Sequence, residues 1–257
     1  MKSRSLLLAL LALLMAGCPK TATITVSHYD LLVAPDRSGD YSSIQQAVRA
    51  AGDGDVVYVK PGVYREDVTI DRPGIRLVGA GPDQVVIDAG QAYAALTLTA
   101  DGCLVDGFAL RNAGSHGLYV KSAGNTVSRC LIIGNGDRGI YFSSFGGNPS
   151  ARIDHCTVAD NEVSGIYVPA GNPETGITNC IVAFNNRAIV SDGDGRGMKV
   201  EFNCAYEPDG TAGLVVEGRG NIRRDPRFAN HDKGDYRLGK NSPCLGAAVD
   251  GSDLGCF

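Results

Sequence analysis

Val127-Ser128-Arg129-Cys130-Leu131-Ile132-Ile133-Gly134-Asn135 is followed by Ile153-Asp154-His155-Cys156-Thr157-Val158-Ala159-Asp160-Asn161 and then by Ile177-Thr178-Asn179-Cys180-Ile181-Val182-Ala183-Phe184-Asn185. These are three copies of one pattern. Cys130, Cys156, Cys180 and Cys204 mark one row at spacings of 26, 24 and 24 residues. Asn112, Asn135, Asn161 and Asn185 mark a second at 23, 26 and 24. A third motif keeps the same beat: Gly117-Leu118-Tyr119-Val120, Gly139-Ile140-Tyr141-Phe142 and Gly165-Ile166-Tyr167-Val168. A period of this length signals a solenoid, in which each unit buries its apolar face only by stacking on the next. Strand alternation turns Leu118, Val120, Ile140, Phe142, Ile166 and Val168 inward and the three tyrosines outward. The cysteine row reads as a buried ladder of small apolar thiols. A single row of sulfurs along a sheet does not surround a tetrahedral ion, so no metal site is expected there. The asparagines are expected to hydrogen-bond from turn to turn.

Outside the repeat, short β-branched runs at 67–70, 75–78, 84–87, 95–98 and 103–105 alternate with Gly, Asn and Asp turns, as in an all-β solenoid. Ser43 with Gln46 forms a capping box, and Ile44, Ala47, Val48 and Ala51 share one face, which predicts a short helix over 42–51. The 257 residues carry a formal charge of -4, which leaves no footprint for nucleic acid. Tryptophan is absent and aromatics make up 7%, thin for a protein that grips sugars by stacking.

At the N-terminus, Lys2 and Arg4 precede the apolar run Leu6 to Leu14 and then Met15-Ala16-Gly17-Cys18. That anatomy is a secretory signal too short to span a membrane comfortably. It resembles the bacterial lipoprotein signal, which implies a lipidated Cys18 and a membrane-surface anchor at the cell envelope. The expected division is a signal peptide at 1–17, the lipidated cysteine and a tether at 18–31, and one domain at 32–257. Export permits disulfides, and Cys244 with Cys256 is the expected pair.

Three further segments carry a resemblance to the pectin lyase-like superfamily. One is Gly39-Asp40-Tyr41-Ser42-Ser43-Ile44-Gln45-Gln46-Ala47-Val48 with Gly54-Asp55-Val56-Val57-Tyr58-Val59 and Pro61-Gly62-Val63-Tyr64-Arg65-Glu66. The second is the repeat. The third, Asp225-Pro226-Arg227-Phe228 with Gly234-Asp235-Tyr236-Arg237-Leu238 and Ser242-Pro243-Cys244, resembles the closing segment of bacterial β-helix proteins. The resemblance implies a single-stranded right-handed parallel β-helix of roughly eight turns, all-β apart from a short N-terminal capping helix. It does not imply an activity, because this fold hosts many. The pectinesterase pattern Gly-Thr-Val-Asp-Phe-Ile-Phe-Gly has no counterpart; the corresponding stretch reads Gly139-Ile140-Tyr141-Phe142-Ser143-Ser144-Phe145-Gly146.

Candidate site residues fall in rows. Asp106, Arg129, His155, Asn179 and Asn203 precede the cysteine row, and His116, Arg138, Ser164 and Arg187 precede the tyrosines. With Tyr119, Tyr141, Tyr167 and Lys121 they offer a polar, aromatic face to an acidic glycan. Catalysis on uronates needs a base beside the sugar α-proton and a cation to meet the developing charge. Asp192-Gly193-Asp194-Gly195-Arg196-Gly197 has alternate carboxylates that suit calcium, but Arg196 stands where a third ligand belongs, so no cofactor is expected. Two readings stay open. One is a lipid-anchored, non-catalytic envelope protein that binds a glycan or another protein; the other is a lyase or epimerase of uronate-containing polysaccharide. Convergence of Asp106, His116, Arg129, Arg138 and His155 in one groove would favour the enzyme.

Overall fold

The computed structural model describes residues 28–145, 148–170, 174–193, 198–209 and 218–257. Cys18 and the rest of the proposed signal and anchor lie outside them. The chain winds through three parallel sheets, here A, B and C, with eight, seven and six strands. Successive strands of A include Leu104–Asp106, Asn125–Ser128, Ala151–Asp154 and Gly176–Thr178; those of B include Ala109–Arg111, Leu131–Ile133, Thr157–Ala159 and Ile181–Ala183. Sheet C includes His116–Val120, Arg138–Phe142 and Ser164–Val168. Among the described residues this makes six full turns and a seventh with strands of A and B only, rather than eight. The extra strand of A, Leu31–Val33, precedes the helix and starts the solenoid one residue before the expected boundary.

The helix spans Ile44–Ala50 and lays Ile44, Ala47 and Val48 over the open end of the core. Ser43 caps it by accepting from the Gln46 amide at 3.2 Å. Glu66, from the turn below, does more of the capping. Its carboxylate accepts from Ser43 Oγ at 2.6 Å, Ile44 N at 2.8 Å and Gln45 N at 3.0 Å, meeting the donors a helix start leaves unpaired.

The interior follows the expected alternation. Leu118, Val120, Ile140, Phe142, Ile166 and Val168 are fully buried, and Tyr119, Tyr141 and Tyr167 pair in register outside. The asparagine ladder is Asn135, Asn161 and Asn185. Asn161 Oδ1 accepts from Asn135 Nδ2 at 2.8 Å and Asn135 N at 3.2 Å, and Asn185 Oδ1 accepts from both nitrogens of Asn161 at 3.0 Å. The ladder and the aliphatics beside it explain the glycine of each Gly-hydrophobic-Tyr unit: a Cβ on Gly117, Gly139 or Gly165 would lie 2.5, 2.4 or 2.3 Å from Ile132, Val158 or Val182. The same Cβ would lie 2.7, 2.8 or 2.9 Å from the amide nitrogen of Asn135, Asn161 or Asn185.

Three row assignments shift by one residue. Asn112 is exposed at φ 57° and donates to Asp88 instead of joining the ladder; Ala113 holds the register position of Asn135. Cys130, Cys156 and Cys180 stack as expected, but Cys204 pairs with Ile181, so Asn203 takes the inward place that Cys180 fills a turn earlier. Asp106 pairs with Ser128, which pairs in turn with Asp154, so its row lies one place before Arg129 and His155.

The closing segment, residues 225–257, folds back over the outer face of sheet B. Its hairpin, Phe228–Asn230 with Asp235–Leu238, brings Tyr236 and Phe228 together with Cys256 onto Ala109, Leu131 and Ala159. His231 is not a solvated surface residue: it stacks on Phe184 at 4.0 Å and bonds Asp160 at 3.0 Å.

The expected Cys244–Cys256 disulfide is not formed; both thiols are free and buried in separate apolar clusters. Cys256 lies over Thr157, whereas Cys244 meets Cys204. Hydrogen bonding to Cys244 and burial together push the Cys204 thiol upward. The same bond holds the Cys244 thiol below its ordinary value, so mild oxidation is expected to join Cys244 to Cys204, with loss of two hydrogens by intact mass and a linked peptide that Cys244→Ser abolishes. A linked Cys244–Cys256 peptide would contradict this placement.

Candidate functional site

Sheets A and B meet at a two-residue corner that repeats between strands ending at 106, 128, 154 and 178 and strands starting at 109, 131, 157 and 181. The first corner residue is left-handed in every case: Gly107 at φ 79°, Arg129 at 45°, His155 at 48° and Asn179 at 56°. The second points inward as Phe108, Cys130, Cys156 or Cys180. Glycine and asparagine tolerate this conformation, whereas Arg and His there cost on the order of 1 kcal/mol each. The geometry splays the side chains of Arg129 and His155 away from the core.

They emerge into a groove of about 830 Å³. Ser128, Arg129, Asp154 and His155 form one wall, and Arg237, Asp250, Ser252 and Phe257 of the closing segment form the other. Asp154 Oδ1 accepts from Thr178 Oγ1 at 2.8 Å and Asn179 Nδ2 at 2.9 Å, leaving Oδ2 at 3.3 Å from His155 Nδ1. Burial alone would raise this carboxyl, but the bonds from His155, Thr178 and Asn179 outweigh it and hold the group at about 2. On its far side His155 presents Nε2 to Ser252 Oγ at 3.1 Å. Asp106, with no exposed surface, lies behind this wall, where it accepts from Ser128 Oγ at 2.7 Å and pairs with the Arg129 guanidinium. Burial raises its pKa despite those partners. Its place is that of an anchor for Arg129.

The remaining predicted residues occupy a different face. Tyr119, Tyr141 and Tyr167 stack on sheet C with ring centroids 5.2 and 5.4 Å apart, so their faces are spent on one another. Their hydroxyls reach Ser143, Ser144 and Asp192. Arg138 lies over Tyr141 and Tyr167 and pairs with Asp137 at 2.6 Å, and Lys121 lies over Tyr119. His116 is packed between Tyr93 and Tyr141, and burial lowers its pKa to about 4 against the pull of Asp137 at 3.8 Å. The five residues expected to converge therefore divide. Arg129, His155 and the supporting Asp106 meet at the groove; His116 and Arg138 belong to the tyrosine stack. Residues 194–197 of the calcium candidate lie outside the described residues, and Asp192 serves Tyr167.

Sequence reasoning missed Asp154 and Ser252. Asp154 shares its row with Asp106 once the register is set, but Ser252 is 97 residues from His155 and carries no local signal.

Comparison with known proteins agrees with this architecture. The family model described as right handed beta helix region matches residues 78–230. A probable pectinesterase/pectinesterase inhibitor 6 of Arabidopsis thaliana is 44% identical over 71 residues, covering 24% of this chain and 13% of that protein. Pectate lyase L of Paenibacillus polymyxa (strain SC2) is 25% identical over 262 residues, covering 85% of this chain and 56% of that protein. The chain thus spans 13% of the first relative's length and 56% of the second's. Among solved structures, Escherichia coli ybhc is 12% identical with a TM-score of 0.50 over 95% of this chain and 87% of that one, a likeness of fold alone. With the family model covering more than half of the sequence, and the winding of the three sheets matching it, the chain belongs to the right-handed beta helix family.

Proposed function

We propose that the groove between the A–B corner and the closing segment is the substrate site of a carbohydrate-active enzyme working on uronate-containing polysaccharide. One observation carries the reading: a histidine held by a perturbed carboxylate shares a roofed groove with an arginine. Arg129 is the cation suited to a uronate carboxylate, and His155 is the group placed to move a proton. The names of the matching relatives, pectinesterases and a pectate lyase, support this substrate class. The reading is preferred to a purely non-catalytic envelope protein because the tyrosines of the expected glycan face stack on one another and bond their hydroxyls to neighbouring side chains. An anchor at Cys18 would put the enzyme at the cell envelope. A lyase or epimerase would use His155 as base at the sugar α-carbon; the nearness of Ser252 favours ester hydrolysis as a second chemistry of the same site.

The test offers polygalacturonate and its methyl- and acetyl-esterified forms to the protein, following absorbance at about 235 nm for an unsaturated product alongside titration of released acid. Turnover of at least one substrate is expected, reduced at least ~100-fold by His155→Asn. Asparagine is chosen because Asn179 holds the same left-handed corner one turn on. Silence on every substrate, or turnover indifferent to His155, defeats the proposal.

A further inference from the structure

Asp154, His155 and Ser252 stand in the order carboxylate, imidazole, hydroxyl, and we infer that Ser252 is a nucleophile toward carboxylic esters, with His155 as its base and Asp154 as the group that orients the base. The inference rests on the groove being the substrate site and adds which bond breaks there. Its geometry is that of a hydrolase triad, which is recognised by roles and distances, not by chain order. Asp154 Oδ2 lies 3.3 Å from His155 Nδ1, and His155 Nε2 lies 3.1 Å from Ser252 Oγ. The carboxylate, ionised far below neutrality, keeps the ring proton on Nδ1 and leaves Nε2 to accept.

Asn179 is the positioning residue that ties the two halves together. Its Nδ2 donates to Asp154 at 2.9 Å, while its Oδ1 and backbone oxygen accept from Val249 N at 3.0 Å and Gly255 N at 2.9 Å, on either side of Ser252. One side chain in the sixth turn therefore sets both the orienting carboxylate and the loop that carries the hydroxyl. Ser252 Oγ also donates to Asp250 Oδ1 at 2.6 Å. Rotation about the Cβ–Oγ bond alone swings the proton from Asp250 to His155 Nε2, since both acceptors are in reach.

The chemistry balances without a redox partner. Ser252 Oγ attacks the ester carbonyl carbon as its proton passes to His155 Nε2. The bond to the alcohol oxygen breaks, and His155 returns the proton to that oxygen. Water then gives a proton to the same nitrogen and attacks the acyl-serine, releasing the acid and restoring the hydroxyl. One ester and one water yield one acid and one alcohol. Arg129 lines the same groove with its guanidinium paired to Asp106, and supplies positive charge on the side where the carbonyl oxygen becomes negative. The ester is one carried by a uronate chain, either a methyl ester of its carboxyl or an acyl ester of a hydroxyl.

The test treats the full chain with a fluorophosphonate, which phosphonylates activated serines whatever their natural substrate. A single adduct on the Ser252 peptide is expected, absent in Ser252→Ala, with the labelling rate at least ~100-fold lower in His155→Asn and at least ~10-fold lower in Asp154→Asn. Circular dichroism confirms that each variant is folded. No adduct in the wild type, an adduct on another serine, or a rate indifferent to His155 overturns the triad. Methanol release from methyl-esterified polygalacturonate and acetate release from the acetylated polymer then separate the two esters. Polysaccharide turnover that survives Ser252→Ala keeps the groove reading and removes the serine. Labelling without turnover of either polymer keeps the serine and removes the polysaccharide.

Discussion

Asn161→Ala is expected to lower the unfolding free energy by about 3–5 kcal/mol, the sum of several orphaned buried groups. The side chain is fully engaged. Its Oδ1 serves Asn135 N and Nδ2, and its Nδ2 donates to Asn185 Oδ1, Ala159 O at 3.0 Å and Ile132 O at 3.2 Å. Truncation strips partners from two nitrogens and three oxygens that water does not reach, and each such loss costs about 1–3 kcal/mol before relaxation. Asn112→Ala is the control. That residue is exposed and its side chain donates to Asp88 from a left-handed turn at φ 57°, so about 1 kcal/mol is expected, well short of the loss at Asn161. Urea denaturation of both variants decides the matter: a midpoint for Asn161→Ala close to the wild type would mean that the ladder merely accompanies the stack.

Acid should destabilise the wild type more than Asp154→Asn, by about 2 kcal/mol between pH 4 and pH 2. The sign follows from the direction of the shift. The Asp154 carboxyl sits at about 2 in the folded protein against 3.8 for the free group. Its contribution is therefore complete above pH 4 and is lost as the pH falls through about 2, where folded protein must also take up the proton. Asparagine keeps the shape but has no proton to take, so its urea midpoint should change less over the same window. Asp106 runs the other way, because burial raises its carboxyl. Equal acid sensitivity of the two proteins would show that His155, Thr178 and Asn179 do not hold the Asp154 charge as the geometry indicates.

Strand alternation made the tyrosine row and the inward aliphatics legible in the sequence, because period two survives any change in turn length. Rows defined by spacing fared less well. The interval between paired residues is 22 from Asp106 to Ser128, 26 from Ser128 to Asp154 and 23 from Thr178 to Glu201, so a count near 24 drifts by one residue. That drift misplaced Asp106, Asn112 and Cys204. The groove itself was half legible. Arg129 and His155 stood out as charged residues beside the cysteines, but their partner across the groove comes from a segment distant in the chain. One signal could have revealed that segment's position. Leu131-Ile132-Ile133 and Ile181-Val182-Ala183 do not alternate, and strands apolar on both faces are covered on both.

That cover changes the mechanics of the stack. In a bare solenoid each turn grips only its two neighbours, so tension applied at one end would peel the turns away singly. Here the closing segment runs across the turns and holds Ala109, Leu131, Ala159 and Ala183 from outside while the core holds them from within. It acts as a splint. Those four turns must loosen together or not at all, and the wall that carries Arg129 and His155 gains its rigidity from a strap laid across the grain of the coil.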